Sequence, residues 1–220
     1  HAQYSCAYFA DCDTLERGQE RKLHLICRRI GLSPGEKLLD VGCGWGGLVA
    51  FAARNYGCSA TGVNISGSQI EKAREACAAQ GLDAVVLDVD YREMRGLFDK
   101  AVSIGMFEHV GSKNHRAFML SVRRCLKDAG LFLLHTIGSN VTARGCDAWI
   151  RKYIFPGGDV PSLAQIARAA EGVFVVEDVQ NLGPHYDSTL MAWNRRFQEA
   201  WPRLAGSYPA TFRRMWEYYL

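Results

Sequence analysis

No run of apolar residues reaches the roughly 18 needed to span a bilayer, and the first residues lack a basic-then-apolar leader. Those two absences make a soluble, intracellular chain the expectation. Eight cysteines are present, but no two form a C-x-x-C pair, and most fall inside apolar segments. Scattered reduced thiols fit that spacing better than a disulfide frame or a zinc site, so no metal is expected. Strong charge is missing too: the net charge is +3 over 220 residues. A domain that grips many phosphates shows a denser Lys/Arg face, so no nucleic-acid partner is expected. There is no internal repeat and no low-complexity segment. What remains, 48% hydrophobic and 22% charged residues, is ordinary for a chain with one sizeable core.

The organising stretch is Leu38 to Gly47, LLDVGCGWGG. A short apolar run ends in Asp40 and meets Gly42, Gly44, Gly46 and Gly47, which reads as a buried strand turning sharply into a helix. Glycines there let main-chain N–H groups approach a bound molecule closely, although a tight connection without a ligand has the same pattern. Before it, Asp13 and Glu16 are placed as a capping pair for an amphipathic helix marked by Leu15, Leu23, Ile26 and Ile30 and stopped by Gly31. After it, strands are expected at 58–64, 83–87, 98–104, 131–137 and 173–179, with helices at 45–56, 67–80, 115–126, 162–171, 188–201 and 209–220. Strands that read as buried on both faces and alternate with helices imply a parallel α/β sheet wrapped by helices. Ligands in such sheets bind at the strand C-termini. Residues 138–161 break into turns and aromatics and read as an insertion over those ends, because a loop this long is usually functional.

The glycine loop has its acid before it, as D-x-G-x-G-x-G, and the second strand ends in Asn64 rather than in an acid that would hold a ribose. That form is the one seen in methyltransferases that use S-adenosylmethionine. Gln69 is then the nearest amide for ribose hydroxyls, and Asp90 and Tyr91 could face adenine, although Tyr91 reads equally as a loop aromatic. Glu108 could cap a helix or pair with Arg116, His135 could be a satisfied core histidine, and Tyr186 a packing ring. Cys6 has no base beside it in sequence. His109, adjacent to Glu108, is expected to face the other way as a structural residue.

Several stretches together resemble the cyclopropane-fatty-acyl-phospholipid synthases and mycolic acid cyclopropane synthases. They are QYSCAYF (3–9), LLDVGCGWGG, NISGSQ (64–69), DYR (90–92), SIGMFEHVG (103–111), LLHTIG (133–138), YIFPGG (153–158) and PHYDSTLMAW (184–193). The resemblance implies a class I methyltransferase Rossmann-like fold and transfer of a methylene group from S-adenosylmethionine to the cis double bond of a phospholipid acyl chain. It implies a bicarbonate held by Glu108, His135, Tyr186 and the main chain of Cys6 and Ile137. It places Tyr4, Ser5, Asp40, Gly42, Cys43, Gly44, Asn64, Ile65, Gln69, Asp90, Tyr91 and Arg92 around the S-adenosylmethionine. Tyr8, Phe9 and Phe155 could line a dry slot for a carbocation. Expected with these are peripheral contact with the inner face of a membrane through Arg144, Arg151 and Lys152, a cytoplasmic location, and a homodimer of the longer protein as an open reading. The family also has a helical region upstream and a last strand downstream, so 1–220 reads as the catalytic domain of a longer chain, its sheet lacking that strand.

Overall fold

The computed structural model describes residues 3–12, 14–143 and 146–220. Five parallel strands form one sheet in the order β3-β2-β1-β4-β5: β1 (Lys37–Val41), β2 (Ser59–Asn64), β3 (Ala84–Asp88), β4 (Phe98–Ile104) and β5 (Leu126–His135). The central β1 shows why both faces must be covered. Leu38 packs with Leu23, Ile26, Ile30, Leu48 and Ile70 on one side, while Leu39 and Val41 pack with Phe107, Phe118, Met119 and Val122 on the other. Alternate side chains point to opposite faces, so a strand apolar on both needs a helical layer on each.

The first layer comes from α1 (Leu15–Arg29), α2 (Gly47–Tyr56) and α3 (Gly67–Ala78), and α4 (His115–Arg124) packs on the second face with α6 (Leu163–Ala170). The short α5 (Ala148–Tyr153) lies within the 138–161 insertion, and α7 (Pro184–Leu204) and α8 (Ala210–Tyr219) complete the chain. Helix α6 starts with a full capping box between Ser162 and Gln165. At α1 the cap is Thr14, whose hydroxyl accepts from the Arg17 N–H, while Glu16 pairs with Arg196; Asp13 lies outside the described residues.

The strand expected at 173–179 is not formed. Its β-branched residues suit a sheet, but no described strand pairs with the segment, and Val175, Val176 and Val179 are exposed. A strand needs a partner for its N–H and C=O groups, and pattern alone does not supply one. Other bounds also moved, most of all at β5, which begins five residues earlier than expected, and at α7, which begins at Pro184 rather than Ser188.

Candidate active site

The turn from β1 into α2 is pinned from beneath, since the N–H groups of Gly42 and Cys43 both donate to the Val63 carbonyl, at 2.9 and 3.1 Å. Gly42 has φ +82°, and a Cβ there would lie 2.7 Å from Met106 Cβ, so no larger residue fits. At the end of β2, Asn64 donates to the Gly44 carbonyl (3.2 Å) and to Gln69 Oε1 (2.9 Å). These residues border a cavity of about 240 Å³, which also takes in Tyr4, Ser5, Asp40 and Cys43 from the expected set. Sequence reasoning missed Gln3, Trp45, Leu48, Ile104, Gly105 and Met106 on its walls.

The DYR residues are not drawn into that cavity. Asp90 and Arg92 pair with each other through two bonds of 2.8 Å, which holds the Asp90 carboxyl below its usual range, and Tyr91 packs against Phe118 at 5.3 Å. Ile65 is largely exposed. Phe9 packs against Gly18 of α1 and Tyr8 against His185, so these rings brace the N-terminal segment.

Beside the cavity lies a second cluster. Glu108 sits on the short 3₁₀ turn after β4, 9% exposed, with Oε1 accepting the Ile137 N–H at 2.7 Å and Oε2 buried without a partner. The Ile137 N–H is thereby spent on Glu108. Arg116, the alternative partner, donates to the carbonyls of Ala169 and Glu171 instead. His135 ends β5 opposite Ile104, and its Nδ1 is also buried without a partner. Burial first, and the nearby Lys22 charge second, push the imidazole down to about 4, so it is neutral at neutral pH.

Tyr186, in the first turn of α7, feels Tyr4, Cys6 and Glu108, and burial pushes its phenol up to about 12. The single S–H of Cys6 is within reach of two acceptors, the carbonyls of Ala7 and Leu182, and burial raises the thiol's pKa. Glu108, His135, Tyr186 and Cys6 therefore lie near one another, although none of the four is on the wall of the cavity at the glycine turn. His109 corrects the sequence expectation, because it lines the cavity and meets Phe155 edge-on at 6.0 Å. Consecutive residues in a 3₁₀ turn are about 120° apart, so neighbours do not face opposite ways as in a strand.

The insertion reaches this cluster. Asp159 donates its N–H to the Glu108 carbonyl at 2.8 Å, and Phe155 lies near Tyr4 and Tyr219, while Tyr4 stacks on Trp193 at 5.0 Å. A larger hollow, about 530 Å³, lies at the other end of the sheet among Arg95, Arg124 and Lys127. Those cations are already bonded to carbonyls or to Asp99, and no acid–base pair faces the hollow.

Two buried ionisable groups sit under the cavity. Burial raises the Asp40 carboxyl to about 7 and lowers the Lys22 ammonium to about 7, and each moderates the other's shift. Lys22 donates to Gln3 Oε1 and Ser5 Oγ, both at 2.8 Å.

Comparison with known proteins bears on the family and the fold. The family model described as mycolic acid cyclopropane synthetase matches residues 1–220. The cyclopropane-fatty-acyl-phospholipid synthase of Escherichia coli K12 is 52% identical over 218 residues, covering 99% of this chain and 56% of that protein. A probable fatty acid methyltransferase of Pseudomonas putida is 39% identical, again over 99% of this chain and 58% of that protein. The chain thus spans a little over half the length of these curated relatives. The crystal structure of mycolic acid cyclopropane synthase CmaA1 complexed with SAH and CTAB superposes with a TM-score of 0.90 at 33% identity, covering 98% of this chain and 82% of that one. The fold is that of the class I S-adenosylmethionine methyltransferases. The chain belongs to the mycolic acid cyclopropane synthetase family.

Proposed function

We propose that the protein to which this chain belongs transfers a methylene group from S-adenosylmethionine to the cis double bond of an unsaturated phospholipid acyl chain, forming a cyclopropane ring. The observation that carries this reading is the pair of orphaned buried atoms, Glu108 Oε2 and His135 Nδ1, next to a cavity built around the glycine turn. A buried polar atom without a partner is costly, so a pair of them marks a place for a hydrogen-bonding group. Bicarbonate fits this donor set: its hydroxyl can donate to the Glu108 carboxylate, and its oxygens can accept from the His135 ring and the Tyr186 phenol.

When bound, S-adenosylmethionine supplies the sulfonium methyl that the alkene attacks, and bicarbonate supplies the base for the proton lost as the ring closes. The rest is the work of this chain's residues. Gly42 and Gly44 let the backbone approach the co-substrate, and the Asn64–Gln69 amide pair offers donors and acceptors to ribose hydroxyls. The neutral His135 and the Glu108 carboxyl, fixed by the Ile137 N–H, hold the base near where the proton leaves. Tyr4, Phe155 and Trp193 form an aromatic wall that excludes water and offers ring faces to a cationic carbon.

The substrate implies peripheral contact with the inner, cytoplasmic face of a membrane. Arg151 and Lys152 on α5, beside Trp149 and the exposed Tyr153, are the described residues suited to it, while Arg144 lies outside the described residues. Among the described residues no helix is long and apolar enough to cross a membrane. A homodimer of the full-length protein remains a proposal of the same kind.

The test uses the full-length protein, unsaturated phospholipid vesicles and S-adenosylmethionine, with fatty-acid analysis for the gain of one CH₂ and a parallel arm depleted of bicarbonate. Cyclopropane product that falls on depletion supports the whole reading. Product unaffected by depletion overturns the base, and lipid left unchanged by protein that binds S-adenosylmethionine overturns the reaction.

A further inference from the structure

Lys22 is fully buried, yet the acid–base cluster makes no direct use of it. It lies on the inward stripe of α1 with Leu23, Ile26 and Ile30, where a leucine would pack without the penalty of desolvating an ammonium. No ion pair within 4 Å offsets that penalty; among the described residues no salt bridge to Lys22 forms. Its bonds go instead to Gln3 and Ser5, two residues of the cavity wall, and Gln19, one turn earlier on the same stripe, donates to the Ser5 carbonyl at 2.9 Å. Ser5 is thus gripped at both its carbonyl and its hydroxyl.

That grip has a chemical direction. Lys22 Nζ donates to Ser5 Oγ, and the hydroxyl proton is left to point elsewhere. Among the described residues Ser5 Oγ has no other partner. Ser5 packs over Gly105 after β4, at the end of the cavity away from the Asn64–Gln69 amides. With the ribose at those amides, the amino-acid end of the co-substrate falls on the Ser5 side, where the Asp40 carboxyl also borders the cavity. A zwitterionic amino acid needs a donor for its carboxylate and an acceptor for its ammonium, and this wall offers both.

We propose that Lys22 is a positioning residue for the methionine end of the co-substrate, turning the Ser5 hydroxyl into a donor aimed at its carboxylate. The proposal rests on reading the cavity as an S-adenosylmethionine site. Calorimetric titration of the protein separates the two questions with two probes, S-adenosylhomocysteine, which carries the amino-acid end, and 5′-methylthioadenosine, which lacks it. Lys22→Met is expected to weaken S-adenosylhomocysteine about tenfold or more, the scale of a lost charge-supported hydrogen bond, and to leave methylthioadenosine within about twofold. Ser5→Ala reproduces the same selective loss, and because Ser5 is not a core residue it carries the test if Lys22→Met fails to fold. Equal weakening of both probes assigns Lys22 a purely structural role and overturns the proposal, as does no weakening of either. Wild-type protein that binds neither probe overturns the reading of the cavity itself.

Discussion

Replacing His135 with Gln should change how stability responds to acid. The imidazole is pushed down from 6.5 to about 4, chiefly by burial and secondarily by Lys22. A group whose folded pKa lies below its unfolded one stabilises the fold fully above the unfolded value, and that contribution is lost as pH falls toward the folded value, because the unfolded chain takes up a proton that the folded chain refuses. The window is therefore about pH 6.5 down to 4. At about 1.36 kcal/mol per unit the loss reaches roughly 3 kcal/mol, an upper figure because part of the residue still meets solvent. Asp40, raised to about 7, acts in the opposite sense over much of the same range, since the folded state holds its proton longer than the unfolded one. The wild-type curve alone thus mixes two opposed slopes. The difference between wild type and His135→Gln isolates one of them. Urea unfolding at pH 7.5 and pH 4.5 should show the wild type losing about 2–3 kcal/mol more than the variant on acidification. Equal losses in the two proteins would refute the claim that a neutral histidine is held in this pocket.

Three further outcomes follow from single contacts. In Gly62→Ala the new Cβ would lie 2.7 Å from Cys43 Sγ and 2.9 Å from Val49 Cγ2, so chemical denaturation should show a loss of about 1–3 kcal/mol, with weaker S-adenosylhomocysteine binding as the glycine loop lifts. Glu108→Gln keeps an acceptor for the Ile137 N–H but removes the carboxylate, so methylene transfer by the full-length protein should fall about 10²-fold or more while the melting temperature stays nearly unchanged. Thr189 is buried, accepts from the Ala7 N–H at 3.0 Å and donates to the His185 carbonyl at 2.8 Å; Thr189→Val should cost about 1–3 kcal/mol in urea unfolding by orphaning that N–H.

The five strands were legible because each is a short apolar run between turn residues, and β4 was placed residue for residue. The glycine loop and the cluster of Glu108, His135 and Tyr186 came from motifs whose order along the chain matched a family. Three things resisted reading. The 173–179 pattern is genuine, but strand formation depends on a neighbour that pattern does not reveal. His109 was left as a structural residue, although it lines the cavity, because adjacency to Glu108 does not tell which way a residue of a 3₁₀ turn faces. Gln19 and Lys22 were not singled out in the amphipathic helix, yet Gln19, Lys22 and Ile26 are spaced by three and four. That spacing puts them on one face and is the signal that could have revealed an inward lysine.

The clasp between Tyr4 and Tyr219, whose hydroxyls lie 3.3 Å apart across 215 positions of sequence, joins the segment before α1 to helix α8. Contacts of such long range bring the largest loop-closure cost and little local compensation, so they form after the sheet has assembled and are the first to loosen. The segment before α1 and helix α8 can therefore part from each other while the sheet stays intact. Amide exchange in 3–9 and 210–219 should then outpace that of β1 and β4.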